Sequence, residues 1–304
     1  MRRTDLDFLG KAKFLVPISL CLIIASAVLL FPSIRGLNMG IDFTGGTEFT
    51  VKFADHVDSE AIRDALGTVD AGSLDLKTSK IQSAGTNTYT ITTQLLNVET
   101  DESVINRVEA TLKSRFPGAS ISRELIGEQI SQELAQKGML AILIAMGAML
   151  IYISWRFRLR YAVACILKLV HDVVIALGIF ALFGLEFNLE TIAAFLTIIG
   201  YSLNDVIVVF DRVRENLKLD QRRNIFDTIN LSINQVLIRT LITATGTLAA
   251  VIVLLVIGGP VLRGFSVAML LGIVLGTYSS WYIGTPILYW WARKADKGRG
   301  REKA

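Results

Sequence analysis

Six stretches of this chain are apolar over about the length a helix needs to cross a lipid bilayer, and no other feature narrows its fold as much. The hydrocarbon core is about 30 Å thick and a helix rises about 1.5 Å per residue, so about 20 residues suffice. Residues 14–31, 138–155, 162–183, 191–210, 240–257 and 265–290 meet that condition. Composition agrees: 52% of the residues are apolar, mean hydropathy is +0.51, and the charged residues are segregated between the runs. The first run has a basic lead (Arg2, Arg3, Lys11, Lys13) like that of a secretory leader, but it is too long and lacks a small-x-small cleavage pattern, so it reads as a retained anchor. Cys21 and Cys165 both fall inside apolar runs, where each reads as a small buried hydrophobe rather than half of a disulfide or metal pair.

A sequence pI near 9.1 would suit nucleic acid if the basic residues were spread over a soluble surface. They flank the apolar runs instead, where they orient the chain in the bilayer. The amino terminus, the turn bearing Arg156, Arg158 and Arg160, the segment 211–238 and the tail after residue 290 are all basic, and they alternate correctly as cytoplasmic. Segments 32–137, 184–190 and 258–264 then lie outside. The expected layout is a cytoplasmic amino terminus and first span (1–35), an extracytoplasmic domain (36–137), five more spans (138–290) with a cytoplasmic amphipathic stretch (211–238), and a basic cytoplasmic tail (291–304). This describes a multi-pass membrane protein with both termini cytoplasmic and lipid as its main surroundings. Within 222–238, Ile225, Phe226, Ile229, Ile233, Val236 and Leu237 share a side, which either lies on the membrane surface or packs beneath spans four and five.

The segment between spans one and two is polar, with 10 Lys and Arg against 15 Asp and Glu, and long enough for one compact domain. Residues 46–53 alternate as a strand, and 58–66 form an amphipathic helix with Asp58 as N-cap. Residues 76–83 and 87–94 read as two strands about a turn; 101–116 reads as a helix with Val104, Ile105, Val108 and Leu112 inward, and 119–126 as a last strand. The order β-α-β-β-α-β is the ferredoxin-like arrangement. The fold class is therefore a six-helix membrane bundle with an inserted α+β ferredoxin-like domain. No catalytic constellation, phosphate loop or metal cluster is visible, and His56 stands alone, so the chain does not read as an enzyme and implies no cofactor.

The junction into that domain, Gly40-Ile-Asp42-Phe43-Thr-Gly45-Gly46-Thr47, is dense in glycine with one embedded carboxylate. It resembles the signature of the SecD/SecF family, relatives of the resistance-nodulation-division transporters. His171-Asp172-Val173 in span three resembles a further family element. So do the run from Ile199 to Asn216 in span four, which holds Asn204, Asp205 and Asp211, Arg239 to Thr243 in span five, and the stretch from Gly258 to Ser266 before span six. The elements keep family order from residue 40 to 266. The likeness implies half of a resistance-nodulation-division-type membrane fold and a SecF-type subunit. Such a subunit, with a SecD-like partner, couples the proton-motive force to late steps of export of a translocating polypeptide through a SecYEG-type translocon. Lys168, in span three, departs from the small or apolar residue expected in the family and stands one turn before Asp172, at the spacing of an i,i+4 pair.

An ionisable residue at mid-bilayer costs about 2.5–3.5 kcal/mol by insertion scales, so Lys168, Asp172, Asp205, Arg239 and His171 are candidate functional groups. Asp205 lies about 8 Å along span four from its cytoplasmic end, and Arg239 opens span five from the same side. The leading expectation makes Asp205 a proton-accepting carboxylate whose proton affinity is set by burial against the charge of Arg239, a role the resemblance implies for the same two residues. His171 and Asp172 either extend a polar relay or satisfy a neighbouring helix, since adjacent helical residues point about 100° apart. Span six carries Gly264, Ala268, Gly272, Gly276, Ser280 and Gly284 at every fourth position, a close-contact face within the chain or with another subunit. The transported ion is H⁺ or Na⁺. Rival readings are half of a small-molecule exporter, which would want a second six-span repeat, and a scaffold that moves no ion.

Overall fold

The computed structural model describes residues 5–71, 75–93, 98–156, 159–220, 222–259 and 262–301. Arg158, Pro260, Val261 and Gln94, where the second strand of the hairpin is expected to end, lie outside them. A first helix, α1 (Phe8–Leu29), leads into β1 (Asn38–Met39) and the single turn α2 (Ile41–Thr44). A domain follows, made of β2 (Gly46–Lys52), α3 (Ser59–Leu66), β3 (Lys80–Gly85), β4 (Thr88–Thr93), α4 (Val98–Arg115) and β5 (Ser120–Ile126). The chain then runs through α5 (Glu128–Arg156), α6 (Leu159–Phe183), β6 (Glu186–Phe187), α7 (Leu189–Leu219) and α8 (Ile225–Ile257). Last come α9 (Arg263–Ser279), a π-turn over Ser280–Gly284 and α10 (Thr285–Arg301).

Six helical passes among the described residues are long and apolar enough to cross a membrane, the sixth being α9, the π-turn and α10 taken together. Three are much longer than their apolar runs: α5 has 29 residues, α7 has 31 and α8 has 33. The stretch expected as a separate amphipathic segment is thus the first half of α8. Its apolar side is core, because Ile229 and Ile233 are fully buried against the extension of α7 and the start of α1. Packing fixes it there. Asn230 Oδ1 accepts the Phe8 and Leu9 amides at 3.1 and 3.0 Å, and Asn234 exchanges two bonds with the Leu6 backbone. The Asn230 bonds satisfy two backbone donors that the first turn of α1 leaves without partners, and the Asn234 bonds hold the residue before its cap.

The small-residue stripe of the sixth pass turns inward onto α7. A Cβ on Gly264 would come 3.1 Å from Thr191 Oγ1, one on Gly276 3.1 Å from Ser202 Oγ, and one on Gly284 3.2 Å from Val206 Cγ2; at Gly272 it would collide with Ile198. The stripe is a contact face within the chain, and it brings the backbones of α7 and α9 close together.

In the domain, β2, β3, β4 and β5 form one antiparallel sheet in the order β3-β4-β2-β5. Residues 76–78, expected as strand, form one 3₁₀ turn capped by the Asp75 side chain, and β3 begins two residues later. Strand alternation sends Phe49, Val51 and Ile91 to the face covered by α3 and α4, where they meet Ile62, Leu66, Val108 and Leu112 in a closed apolar core. The other face is polar. Lys80, Thr92, Glu48 and Glu124 lie in register across it, with Gln82, Thr90, Thr50 and Ser122 as the next row.

Candidate functional site

The entry to the domain is built on the start of α7. β1 pairs in parallel with β6, and the Gly40 amide donates to Phe187 O at 2.9 Å. A Cβ at Gly40 would press on Glu186 Oε1 at 3.1 Å and Asn188 Cβ at 3.2 Å, so only glycine fits without a shift. Gly45 and Gly46 turn the chain into β2 with φ of 69° and 127°, which L side chains rarely adopt. Between them and Gly40, Asp42 Oδ2 accepts the amide of Leu189 at 2.7 Å. The carboxylate therefore caps the first turn of α7, where a negative charge meets the positive end of the helix. Arg263 Nη1 donates to Ser83 O at 3.0 Å, and Asn38 Nδ2 and Gln82 Nε2 both donate to Gly184 O, adding straps between sheet and helices.

The polar face of the sheet and these loops enclose an open cavity of about 360 Å³, lined by five carboxylates (Asp42, Glu48, Glu124, Glu186 and Glu190) with Arg263 at its edge. Lys80 lies beside it, bonded through Nζ to Asn38 Oδ1. Burial, then the charges of Glu186, Glu124 and Asp42, push the Glu48 carboxyl up to about 7, with Lys80 acting the other way. Burial also raises Glu186 and Glu124, and it lowers Lys80 against the pull of Glu186 and Glu48.

Deeper in the helical part, α6, α7 and the sixth pass share a second polar cluster. Lys168 is fully buried and Asp172 is 1% exposed; their charged atoms are 3.1 Å apart, as the one-turn spacing predicts. Lys168 Nζ donates to Ser202 O at 2.9 Å and also to Ser202 Oγ, which in turn donates to Asp172 Oδ2 at 2.6 Å. His171 Nδ1 lies 2.9 Å from Asp172 Oδ1, so the two neighbours do meet. Their Cα–Cβ bonds diverge, but the freedom about χ1 and χ2 closes the gap. With a carboxylate as acceptor, Nδ1 carries a hydrogen, and Nε2 is buried with no hydrogen-bond partner among the described residues. Asp205 is 4% exposed and accepts one long bond, 3.4 Å, from Thr277 Oγ1. Beside it the sixth pass is wound as a π-turn, a feature often found at working sites.

Arg239 does not join this cluster. Asp205 faces the interior of the bundle, whereas Arg239 is exposed on α8, and among the described residues no ion pair links them. The two helices are neighbours, as expected, but their phases turn these side chains apart. The cation beside the buried acids is Lys168. Arg239 sits instead on an outward face with Asn204, Thr197 and Gly200 of α7 and Thr243 and Gly246 of α8, all exposed. The exposed Ile242 lies among them, so the face mixes small and polar residues with an apolar one. Asp211 pairs with Arg156 at 3.2 Å, tying α7 to the end of α5. Sequence reasoning does not single out Ser202, Thr277, Glu48 or Glu186. The first is legible as a hydroxyl one turn before Asp205; the others come from distant segments.

The model for the SecD/SecF GG motif matches residues 31–55, and that for the protein export membrane protein SecD/SecF C-terminal region matches residues 107–294. The chain is 39% identical to the protein translocase subunit SecF of Calditerrivibrio nitroreducens over 94% of each chain, and 41% identical to that of Magnetococcus marinus over 95% of this chain and 92% of the other. It aligns with the crystal structure of SecDF, a translocon-associated membrane protein from Thermus thermophilus, at a TM-score of 0.86 and 36% identity, over 95% of this chain and 39% of that one. Against SecDF in a super-membrane-facing form the TM-score is 0.72 at 35% identity, over all of this chain and 41% of the other. The chain belongs to the SecD/SecF family of protein export membrane proteins.

Proposed function

We propose that this chain is a SecF-type subunit that, with a SecD-like partner, couples the proton-motive force to late steps of polypeptide export through a SecYEG-type translocon. In this reading it sits in the bacterial inner membrane with both termini cytoplasmic, has the ferredoxin-like domain (36–137) outside, and works without catalytic chemistry or cofactor. The observation that carries the reading is the pair of carboxylates, Asp172 and Asp205, held beside one lysine inside an apolar bundle. Burial of that kind is costly and is otherwise replaced by apolar packing. Each elementary charge that falls through about 100 mV yields about 2.3 kcal/mol, enough to shift a two-state equilibrium about fiftyfold.

The partner docks on the outward α7/α8 face. Arg239 there lacks an ion-pair partner among the described residues, and a carboxylate from a second half would supply one. Thr197, Gly200 and Gly246 leave room for close backbone approach. Support also comes from the relatives in which both halves are one chain, such as the Thermus thermophilus SecDF, of which this chain spans 39%.

The test is export by inverted vesicles holding the chain and its partner, with and without an imposed proton gradient. Asp205→Asn is expected to insert and assemble but to lose the gradient-dependent part of export. Undiminished export at full proton-motive force would end the proposal.

A further inference from the structure

In the coupling reading Lys168 is the cation beside the two buried acids, and its own surroundings say more about it. Lys168 is a fully buried ammonium whose Nζ is met by three oxygens: Asp172 Oδ2 at 3.1 Å, Ser202 O at 2.9 Å, and Ser202 Oγ. One carboxylate oxygen, one backbone carbonyl and one hydroxyl form a hard-oxygen set, the kind that alkali and alkaline-earth cations take in proteins. The lysine stem is held in place. Its Cγ lies 3.7 Å from the position of a Cβ on Gly284, in the π-turn, and the close approach at Gly276 presses Ser202 onto the same spot. The other titratable groups facing this centre among the described residues are His171, bonded to the far oxygen of Asp172, Asp205, one turn along α7 from Ser202, and the buried thiol of Cys165, one turn before Lys168 on α6.

We infer that the Lys168 ammonium occupies the place of a sodium ion, and that this tethered cation restricts the chain to protons as its coupling ion. The inference rests on the coupling function proposed above. A monovalent cation entering this centre would face the ammonium at contact distance and would find Ser202 O, Ser202 Oγ and Asp172 Oδ2 already taken. A proton needs no such space, since it resides on a carboxylate oxygen or on His171 Nε2. Removing the amine leaves the oxygens and their negative charge, which is a sodium site.

The test uses Lys168→Ala, which opens the space, and Lys168→Met, which fills it without charge. In purified full-length protein, ²²Na⁺ binding and thermal stability in Na⁺ against choline are read first. Wild type is expected to bind no Na⁺ and to melt at the same temperature in both salts. Lys168→Ala is expected to bind it saturably and to gain stability with Na⁺ concentration, as linkage requires, and Lys168→Met to do neither. In vesicles with the partner, an imposed Na⁺ gradient is expected to raise export by Lys168→Ala about tenfold over wild type. Saturable Na⁺ binding by wild type overturns the inference, as does a Lys168→Ala protein indifferent to Na⁺. If neither single variant inserts while Lys168→Met/Asp172→Leu does, the lysine is a structural partner of Asp172 and the inference also falls. Wild-type export that ignores a proton gradient defeats the coupling function instead, and the binding measurement still decides the role of the lysine.

Discussion

Glu48→Gln should stabilise the domain at alkaline pH and do nothing at acid pH. Glu48 lies directly across from Glu124 in the β2/β5 register, and both face the cavity that also holds Glu186 and Asp42. Like charges opposed on neighbouring strands repel, and burial adds to the cost of ionising either. Below the usual carboxyl value of 4.5, Glu48 is protonated whether the sheet is formed or not. Between 4.5 and about 7 the unfolded chain releases the proton and the folded domain keeps it, so stability falls as pH rises and the loss is complete above about 7.

The interval corresponds to at most about 3.4 kcal/mol at about 1.36 kcal/mol per pH unit. Glu48 is only partly buried, so solvent screening reduces that to about 1–2 kcal/mol. Hydrogen exchange of the β2 and β5 amides in the full-length protein measures it. Variant and wild type compared at one pH share the same intrinsic exchange rates. At pH 8 the variant should be protected about 5–30-fold better than wild type, and at pH 4.5 equally. An advantage of the same size at both pH values, or a loss of protection at pH 8, would refute the reasoning.

Asp42→Ala removes the acceptor for the Leu189 amide and should cost about 1 kcal/mol, seen as faster exchange in the first turn of α7; Asp42→Asn keeps an acceptor oxygen and should retain most of the protection. Gly272→Val drives a side chain into Ile198 and should destabilise the bundle by about 1–3 kcal/mol, read as a lower Tm in detergent. Arg239→Leu leaves the isolated chain as stable as wild type, because the side chain is exposed, but should weaken co-purification of a SecD-like partner at least tenfold; unchanged co-purification would place the partner on another face.

The six passes are legible in the sequence because each rests on length and apolarity alone, which no tertiary contact can reverse. Their ends are not. The polar ends of α7 and α8 run on as helix beyond the apolar stretches because residues such as Asn216, Asn230 and Asn234 find partners on neighbouring helices, and hydropathy is blind to that. The same limit divides the site. Lys168 and Asp172 lie on one helix, and their meeting follows from the 3.6-residue repeat alone. Whether Asp205 meets Arg239 depends on the rotation of α7 against α8, and that rotation is set by the glycine stripe of the sixth pass. The stripe draws α9 onto the face of α7 that includes Ile198, Ser202 and Val206. Asp205 follows that face inward, while Asn204, one residue earlier, turns outward toward the side of Arg239. The glycines of one helix thus decide which cation the carboxylate of another can reach, and they leave the arginine exposed.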